Sequence, residues 1–311
     1  MIESLDQRIE SFIEPLSSLI TNLVFTSISI KNNSVPLVVI WLVIASLFFT
    51  FYFRFINIRA FKRAWQVAFG KFDKPNSPGE ITHFQAFTAA MSGTIGLGNI
   101  AGVAVAISIG GPGAMLWMII MAFFGMTLKF VEVSLGHKYR VIYPDGTVSG
   151  GAIRYLSDGM RDCGFPKLGS FLAIFFAICC IGGSFGGGNM FQANQAFQQI
   201  VIATGSENSF LYGKGWLGGV FFAIVVGSII VGGIKSIGRV TEKLVPLMGT
   251  LYCVTCIYII FSNYTEIPKT INLVLSNAFQ TQATIGGIIG VMIAGIKRAV
   301  FSNESGIGSA P

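Results

Sequence analysis

The chain has 311 residues, of which 52% are hydrophobic and only 11% charged, with 28 Phe and 38 Gly. Soluble domains carry about 25% charged residues, so this composition excludes a water-soluble globular protein and predicts an all-α polytopic membrane protein. The formal charge of +7 does not mark a nucleic-acid binder, because the basic residues sit between apolar runs and not among aromatics.

Residues 1–34 are mixed and mildly acidic. Ile2, Leu5, Ile9, Phe12, Ile13, Leu16, Leu19 and Ile20 recur at helical spacing, which predicts an amphipathic helix on the membrane surface. The basic start and small-residue cleavage site of a secretory leader are missing. Seven spans of roughly the ~20 residues a bilayer requires follow, at 35–55, 82–109, 114–135, 168–203, 215–233, 240–262 and 284–304. Basic residues are concentrated in three of the connections: 54–74, 136–167, where a short interfacial helix is expected, and 234–243. The opposite connections are nearly bare, fourteen basic residues against four. This asymmetry puts the N-terminus outside and the C-terminal end inside.

The second span contains "MSGTIGLGNIAG", from Met91 to Gly102. Glycine costs about 1 kcal/mol relative to alanine in a helix, so Gly93, Gly96 and Gly98 invite a break. Broken backbone at membrane depth is tolerated where it is buried or lines a cavity, and its freed polar groups can hold ions. The other reading is a close helix–helix contact of the small-xxx-small kind. A dinucleotide loop is excluded, since the spacing is G-x-G-x-x-x-G with no preceding strand.

In the third span, Lys129 and Glu132 lie on one helix face and are expected to pair or snorkel, with a coupling role as the alternative. The fourth span carries Asn189, Gln192, Asn194 and Gln195. Amides in a span face the bundle or a water-filled path, or make interhelical hydrogen bonds. Cys253 and Cys256 form a C-x-x-C without polar partners, which predicts core packing. With only two His in the chain, a metal site is not expected, and no nucleophile–base pair in the spans suggests an enzyme.

The chain closes on "FSNESGIGSAP". Ser302 to Ser309 align with Ser92 to Asn99 at an offset of 210 residues, matching Ser, Gly and Gly. The charge count gives the two segments opposite directions, which points to inverted repeats around a mid-membrane site.

These two blocks, "GTIGLGNIAGVAVAISIGGPGAMLWMIIMAFFGMTLKFVEVSLGHKYR" (93–140) and "FSNESGIGSAP", resemble the signature regions of the alanine/glycine:cation symporters, the sodium:alanine symporter family. "GGAIRYL" (150–156) departs from that family's Gly-Gly-Pro-Met pattern. The resemblance implies a LeuT-type inverted-repeat fold with one extra helix in front. On that plan 1–34 is a periplasmic or extracellular N-terminal segment, 35–55 the extra helix, 82–262 a complete five-helix repeat, and 263–311 the start of the second. The fold would then be C-terminally truncated after about seven transmembrane helices.

The implied activity is sodium-coupled symport of a small neutral amino acid, alanine or glycine, by alternating access in a bacterial-type inner membrane. Na+ is the coupling ion, with no other cofactor, and the partners are the amino acid and the lipid bilayer. The alternative is a non-transporting fragment of such a symporter. By resemblance the substrate contacts are Thr94, Gly96, Gly98 and Asn99 on the first segment and Phe301, Ser302 and Asn303 on the second; Gln192, from the amides of the fourth span, is a pocket-lining candidate or an interhelical hydrogen-bond partner. The glycine N–H groups would take the carboxylate. Carbonyls of the second segment would take the ammonium, and Phe301 would close the pocket. Glu304 is either cation-related or an ordinary carboxylate near the cytoplasmic face.

Overall fold

The computed structural model describes residues 14–15, 18–30, 33–73, 79–279 and 287–309. A hairpin of β1 (Ser27–Ile30) and β2 (Asn33–Pro36) leads into α1 (Leu37–Tyr52). Then come α2 (Phe61–Ala68), α3 (His83–Thr94), α4 (Leu97–Gly110) and α5 (Ala114–Lys138). A two-residue-strand hairpin, β3 (Val141–Ile142) and β4 (Val148–Ser149), follows. After it, α6 (Pro166–Gly183) continues through a π-helical stretch, Ser184–Met190, into α7 (Phe191–Ala203). The remaining helices are α8 (Gly215–Ile230), α9 (Gly233–Ser262), α10 (Ile267–Phe279) and α11 (Gly287–Asn303).

Four helical stretches among the described residues are long and apolar enough to cross a membrane: His83–Gly110, Ala114–Lys138, Pro166–Ala203 and Gly233–Ser262. Leu37–Tyr52 and Gly215–Ile230 are apolar and shorter. Each of the seven expected spans falls on helix, with the first residues of the seventh outside the described ones. Exposed Trp41, Phe221, Ile224 and Leu251 are what a lipid-facing surface requires.

Only part of the N-terminal expectation falls on described residues. Ile2, Leu5, Ile9, Phe12, Ile13 and Leu16 lie outside the described residues. Residues 18–24 are helical, but the chain then turns into the β1–β2 hairpin, paired from Ser27–Pro36 to Ile30–Asn33. Alternating Ser-Ile-Ser-Ile suits a strand better than a helix. The expected interfacial helix in 136–167 is present as consecutive helical turns over Ala152–Arg154, Tyr155–Gly159 and Met160–Asp162. Helices α2 and α10 arise in segments read as connections. Cys253 is exposed on α9 and Cys256 is half-buried, so the pair is not core.

The chain forms two compact units. The first comprises the described residues of Met1–Asn57, Ala101–Leu128 and Thr265–Gly306. Its core is Leu42, Ala106, Ala114, Met118, Met121, Leu128, Val291, Ala299 and Val300. Buried polar groups on α1 are satisfied within the helix: Ser46 donates to the Leu42 carbonyl, and Thr50 to that of Ser46 at 2.7 Å. The Asn57 amide donates to the Phe123 carbonyl at 3.0 Å. That carbonyl is the usual acceptor for a helical threonine hydroxyl at 127, and Thr127 Oγ1 is buried with no partner among the described residues. Between α5 and α10 the chain closes tightly, with Gly113 N–H donating to Asn277 Oδ1 at 3.0 Å and Trp117 Nε1 to the Ala278 carbonyl at 3.2 Å.

The second unit comprises the described residues of Ile58–Ile100, Lys129–Tyr264 and Ile307–Pro311. Here α3 begins with a capping box, Thr82 Oγ1 accepting from Gln85 N–H and the Gln85 side chain accepting from Thr82 N–H, which satisfies two of the helix's orphan donors. Helix α3 lies against α9 at Gly238, where a Cβ would meet Ile81 and Gln85 at 3.3 Å. Gln85 Nε2 also donates to Glu242 at 2.9 Å. The 143–162 loop is tied down by polar contacts, including Val148 N–H to Glu80 at 3.1 Å and Arg161 to Asp158 at 3.3 Å.

In the same loop, burial and then the Glu132 carboxylate push the Tyr155 hydroxyl up to about 12. A phenol raised above its unfolded value of about 10 contributes its full stability below that value and loses it as pH rises through the folded one. Replacing Tyr155 by Phe is therefore expected to flatten the fall in thermal midpoint between pH ~10 and ~12, measured as a midpoint-against-pH curve beside the wild type.

Candidate functional site

The glycine-rich stretch is a helix interruption. Helix α3 stops at Thr94 and α4 starts at Leu97, leaving Ile95 and Gly96 between them. Local bonds close the gap. Gly96 N–H donates to the Thr94 carbonyl at 3.0 Å, and Asn99 and Ile100 N–H donate to the Gly96 carbonyl at 3.1 Å. The Asn99 side chain crosses the break, its Nδ2 donating to the Thr94 carbonyl at 2.6 Å. The structure thus brings Thr94, Gly96 and Asn99 together. Gly98 is half-buried on the first turn of α4. In this state Gly96 N–H is engaged within the turn, so it reaches a carboxylate only if that turn opens. The alternative reading of a close helical contact also holds, one turn further on. Gly102 is buried, and a Cβ on it would stand 3.2 Å from both Arg298 Nε and Ser302 Oγ.

The second segment lies where a helix ends. Helix α11 ends at Asn303, and the chain turns through left-handed backbone at Glu304 (φ 50°), Gly306 (φ 83°) and Gly308 (φ 84°). Glycine takes this conformation without strain, and glutamate does so rarely. Ser302 is buried at 4% exposure. Asn303 and Glu304 are half-buried, and Ser305 donates to the Asn303 carbonyl at 3.5 Å. Phe301 is exposed and its ring lies 5.6 Å from that of Phe25, so an N-terminal aromatic covers the side chain expected to close the pocket. Gln192 sits on an exposed face of α7, and Asn189 and Asn194 are exposed too.

One residue escaped the sequence reading. Arg298 lies in the middle of the α11 run, and its Nε donates to the Gly102 carbonyl at 3.3 Å. Its signal was a charge inside an apolar helix, not in a connection.

Residues 19–311 match the model of the sodium:alanine symporter family. The chain is 39% identical over 277 residues to the sodium/alanine symporter AgcS of Methanococcus maripaludis, covering 89% of this chain and 59% of that protein. It is 34% identical over 276 residues to the probable sodium/glutamine symporter GlnT of Bacillus subtilis, covering 88% and 54%. It is also 34% identical over 267 residues to the amino-acid carrier protein AlsT of Bacillus subtilis, covering 85% and 53%. The chain therefore spans a little over half the length of these curated relatives. The family and these relatives are transporters and not enzymes. Matched by the family model over residues 19–311, and carrying helices long and apolar enough to cross a bilayer several times, the chain belongs to the sodium:alanine symporter family as a multi-pass membrane protein.

Proposed function

We propose that this chain carries the substrate machinery of a sodium-coupled symporter for a small neutral amino acid, alanine or glycine. The observation that carries the reading is the interruption at Ile95–Gly96 inside an apolar span, bridged by the Asn99 side chain. Interrupted spans in a transporter family are where substrate and ion contacts are built. The proposed substrate contacts are Thr94, Gly96, Gly98 and Asn99 on the interrupted segment and Phe301, Ser302 and Asn303 on the second segment. Gln192 and, for the cation, Glu304 complete the set.

The fold proposed for the whole protein is the LeuT-type inverted repeat, with Leu37–Tyr52 as the extra helix, 82–262 as one repeat and 263–311 opening the next. The excess of Lys and Arg in the 54–74, 136–167 and 234–243 connections supports an outside N-terminus and an inside end at residue 311.

The energetics suit the chemistry. One Na+ entering down ~100 mV releases about 2.3 kcal/mol, and a tenfold Na+ gradient adds about 1.4 kcal/mol. Together they hold an amino-acid gradient of roughly a few hundredfold. A zwitterion needs opposite-charge partners at its two ends, and the termini of interrupted helices offer both. The test is uptake of labelled alanine into proteoliposomes with and without an inward Na+ gradient. Accumulation above equilibrium that requires Na+ is expected. Uptake indifferent to Na+, or its absence in a well-folded preparation that includes any remaining part of the protein, overturns the reading.

A further inference from the structure

We propose that Arg298 is a positioning residue, which clasps α4 to α11 through the Gly102 carbonyl and so fixes the end of α11 that bears Ser302. The inference rests on the functional reading above only in treating Ser302 as a substrate contact. The clasp itself stands on its own geometry.

A charge within an apolar span is costly and is kept where it meets a polar partner inside the protein. Arg298 meets that description. It is half-buried, flanked by Ala299 and Val300 at 1% and 3% exposure, and its Nε donates to Gly102 O at 3.3 Å. Its neighbour Lys297 behaves differently, being exposed with its ammonium over the Phe25 ring at 5.2 Å. Successive helical residues point about 100° apart, so one basic side chain leaves the helix and the other enters the contact.

The partner position is tight, so a side chain there would make Arg298 and Ser302 give by a few tenths of an ångström. A Cβ at residue 102 would stand 3.2 Å from Arg298 Nε and 3.2 Å from Ser302 Oγ, so three residues share one contact. Arg298 and Ser302 are four apart, stacked on the same face of α11. Four residues beyond, the helix has ended and the backbone has gone left-handed at Glu304 and Gly306. A helix end frays unless it is held. A charge-assisted bond one turn inside it keeps Ser302 in a fixed place against α4. A guanidinium does this better than an ammonium because its planar donors are preorganised and weakly hydrated.

The experiment uses the full chain and two readouts. Thermal midpoints in detergent are measured for Gly102→Ala, Arg298→Ala and the double variant, and the KM and kcat of Na+-driven alanine uptake for Arg298→Gln and Arg298→Lys. The expected result is non-additivity: Gly102→Ala lowers the midpoint in the wild-type background and by clearly less once Arg298 is shortened to Ala, the contact with Ser302 Oγ remaining. Arg298→Gln is expected to raise KM about tenfold, the scale of one charged hydrogen bond, with kcat little changed, and Arg298→Lys to recover part of the loss. Additive midpoints, or an Arg298→Gln protein with wild-type KM, would overturn the proposal. A well-folded wild type without uptake, in a preparation that includes any remaining part of the protein, sinks the functional reading instead, while the midpoint cycle still decides the clasp.

Discussion

Replacing Asn99 by leucine is expected to reduce Na+-driven alanine uptake by about tenfold or more while leaving the protein folded. Leucine keeps the branching of asparagine at Cγ, adds some volume and removes its donor. The donor is the group that crosses the break, reaching the Thr94 carbonyl at 2.6 Å. Without it, the last carbonyl of α3 loses its 2.6 Å partner, and the side-chain bond that spans Ile95 and Gly96 is gone. A lost hydrogen bond to a half-buried carbonyl costs about 1–3 kcal/mol, which in a site built for geometry becomes a factor of roughly 10–100. Asn99→Asp should fail as badly, because an ionised carboxylate only accepts, whereas loss of volume alone would spare it. Initial uptake rates together with thermal midpoints separate a site effect from unfolding. A leucine variant transporting at wild-type rate would remove Asn99 from the site.

The second large effect concerns stability. Gly113→Val should destabilise the protein by at least ~2 kcal/mol, within the range for overpacking a tight core. Gly113 is buried where the chain enters α5, and a Cβ there would lie 2.5 Å from Ala278 Cα and 2.7 Å from the Asn277 carbonyl carbon. Those are backbone atoms, which cannot swing aside as a side-chain tip can. Displacing α10 would also break the Gly113–Asn277 and Trp117–Ala278 bonds, removing two of the polar anchors between these elements. The readout is the thermal unfolding midpoint in detergent and the yield of monodisperse protein. By contrast Gly182→Ala, within α6 at a position with nothing within 4 Å of the added carbon, should lower neither, alanine being favoured over glycine in a helix.

The spans were legible because each is a long apolar run, and the interruption because glycine density contradicts helix in a place where hydropathy demands one. The α10 helix was not legible. "IPKTINLVLSNAF" is too polar and too short to register as a span, and its place is set by Asn277 and Ala278 meeting α5, a contact far away in sequence. The β3–β4 hairpin hung on "PDG", a turn signal overshadowed by strands of two residues. At the candidate site, Thr94 and Asn99 were singled out by the family resemblance, and they meet across Gly96. Arg298 was not, because positive charge had been weighed as a marker of sidedness and not as a donor inside a helix. Phe301 shows the remaining limit: that Phe25 would cover it depends on a hairpin the periodicity did not predict.

The π-helical stretch Ser184–Met190 has a consequence for how this protein can change. A π turn holds roughly one residue more than an α turn, so it acts as an angular offset between α6 and α7. Three consecutive glycines, Gly186 to Gly188, lie in it, with no neighbouring side chain within 4 Å of where their Cβ atoms would be. Loss of a single glycine there would let the segment close into regular α-helix, the same full turn made with one residue fewer. The azimuth of everything downstream would be kept, so Gln192, Asn194 and Gln195 would hold their directions and Phe197 its seat against Gly218. One codon deleted here would be absorbed, whereas one deleted in the regular helix on either side would turn the whole row of amides by about 100°.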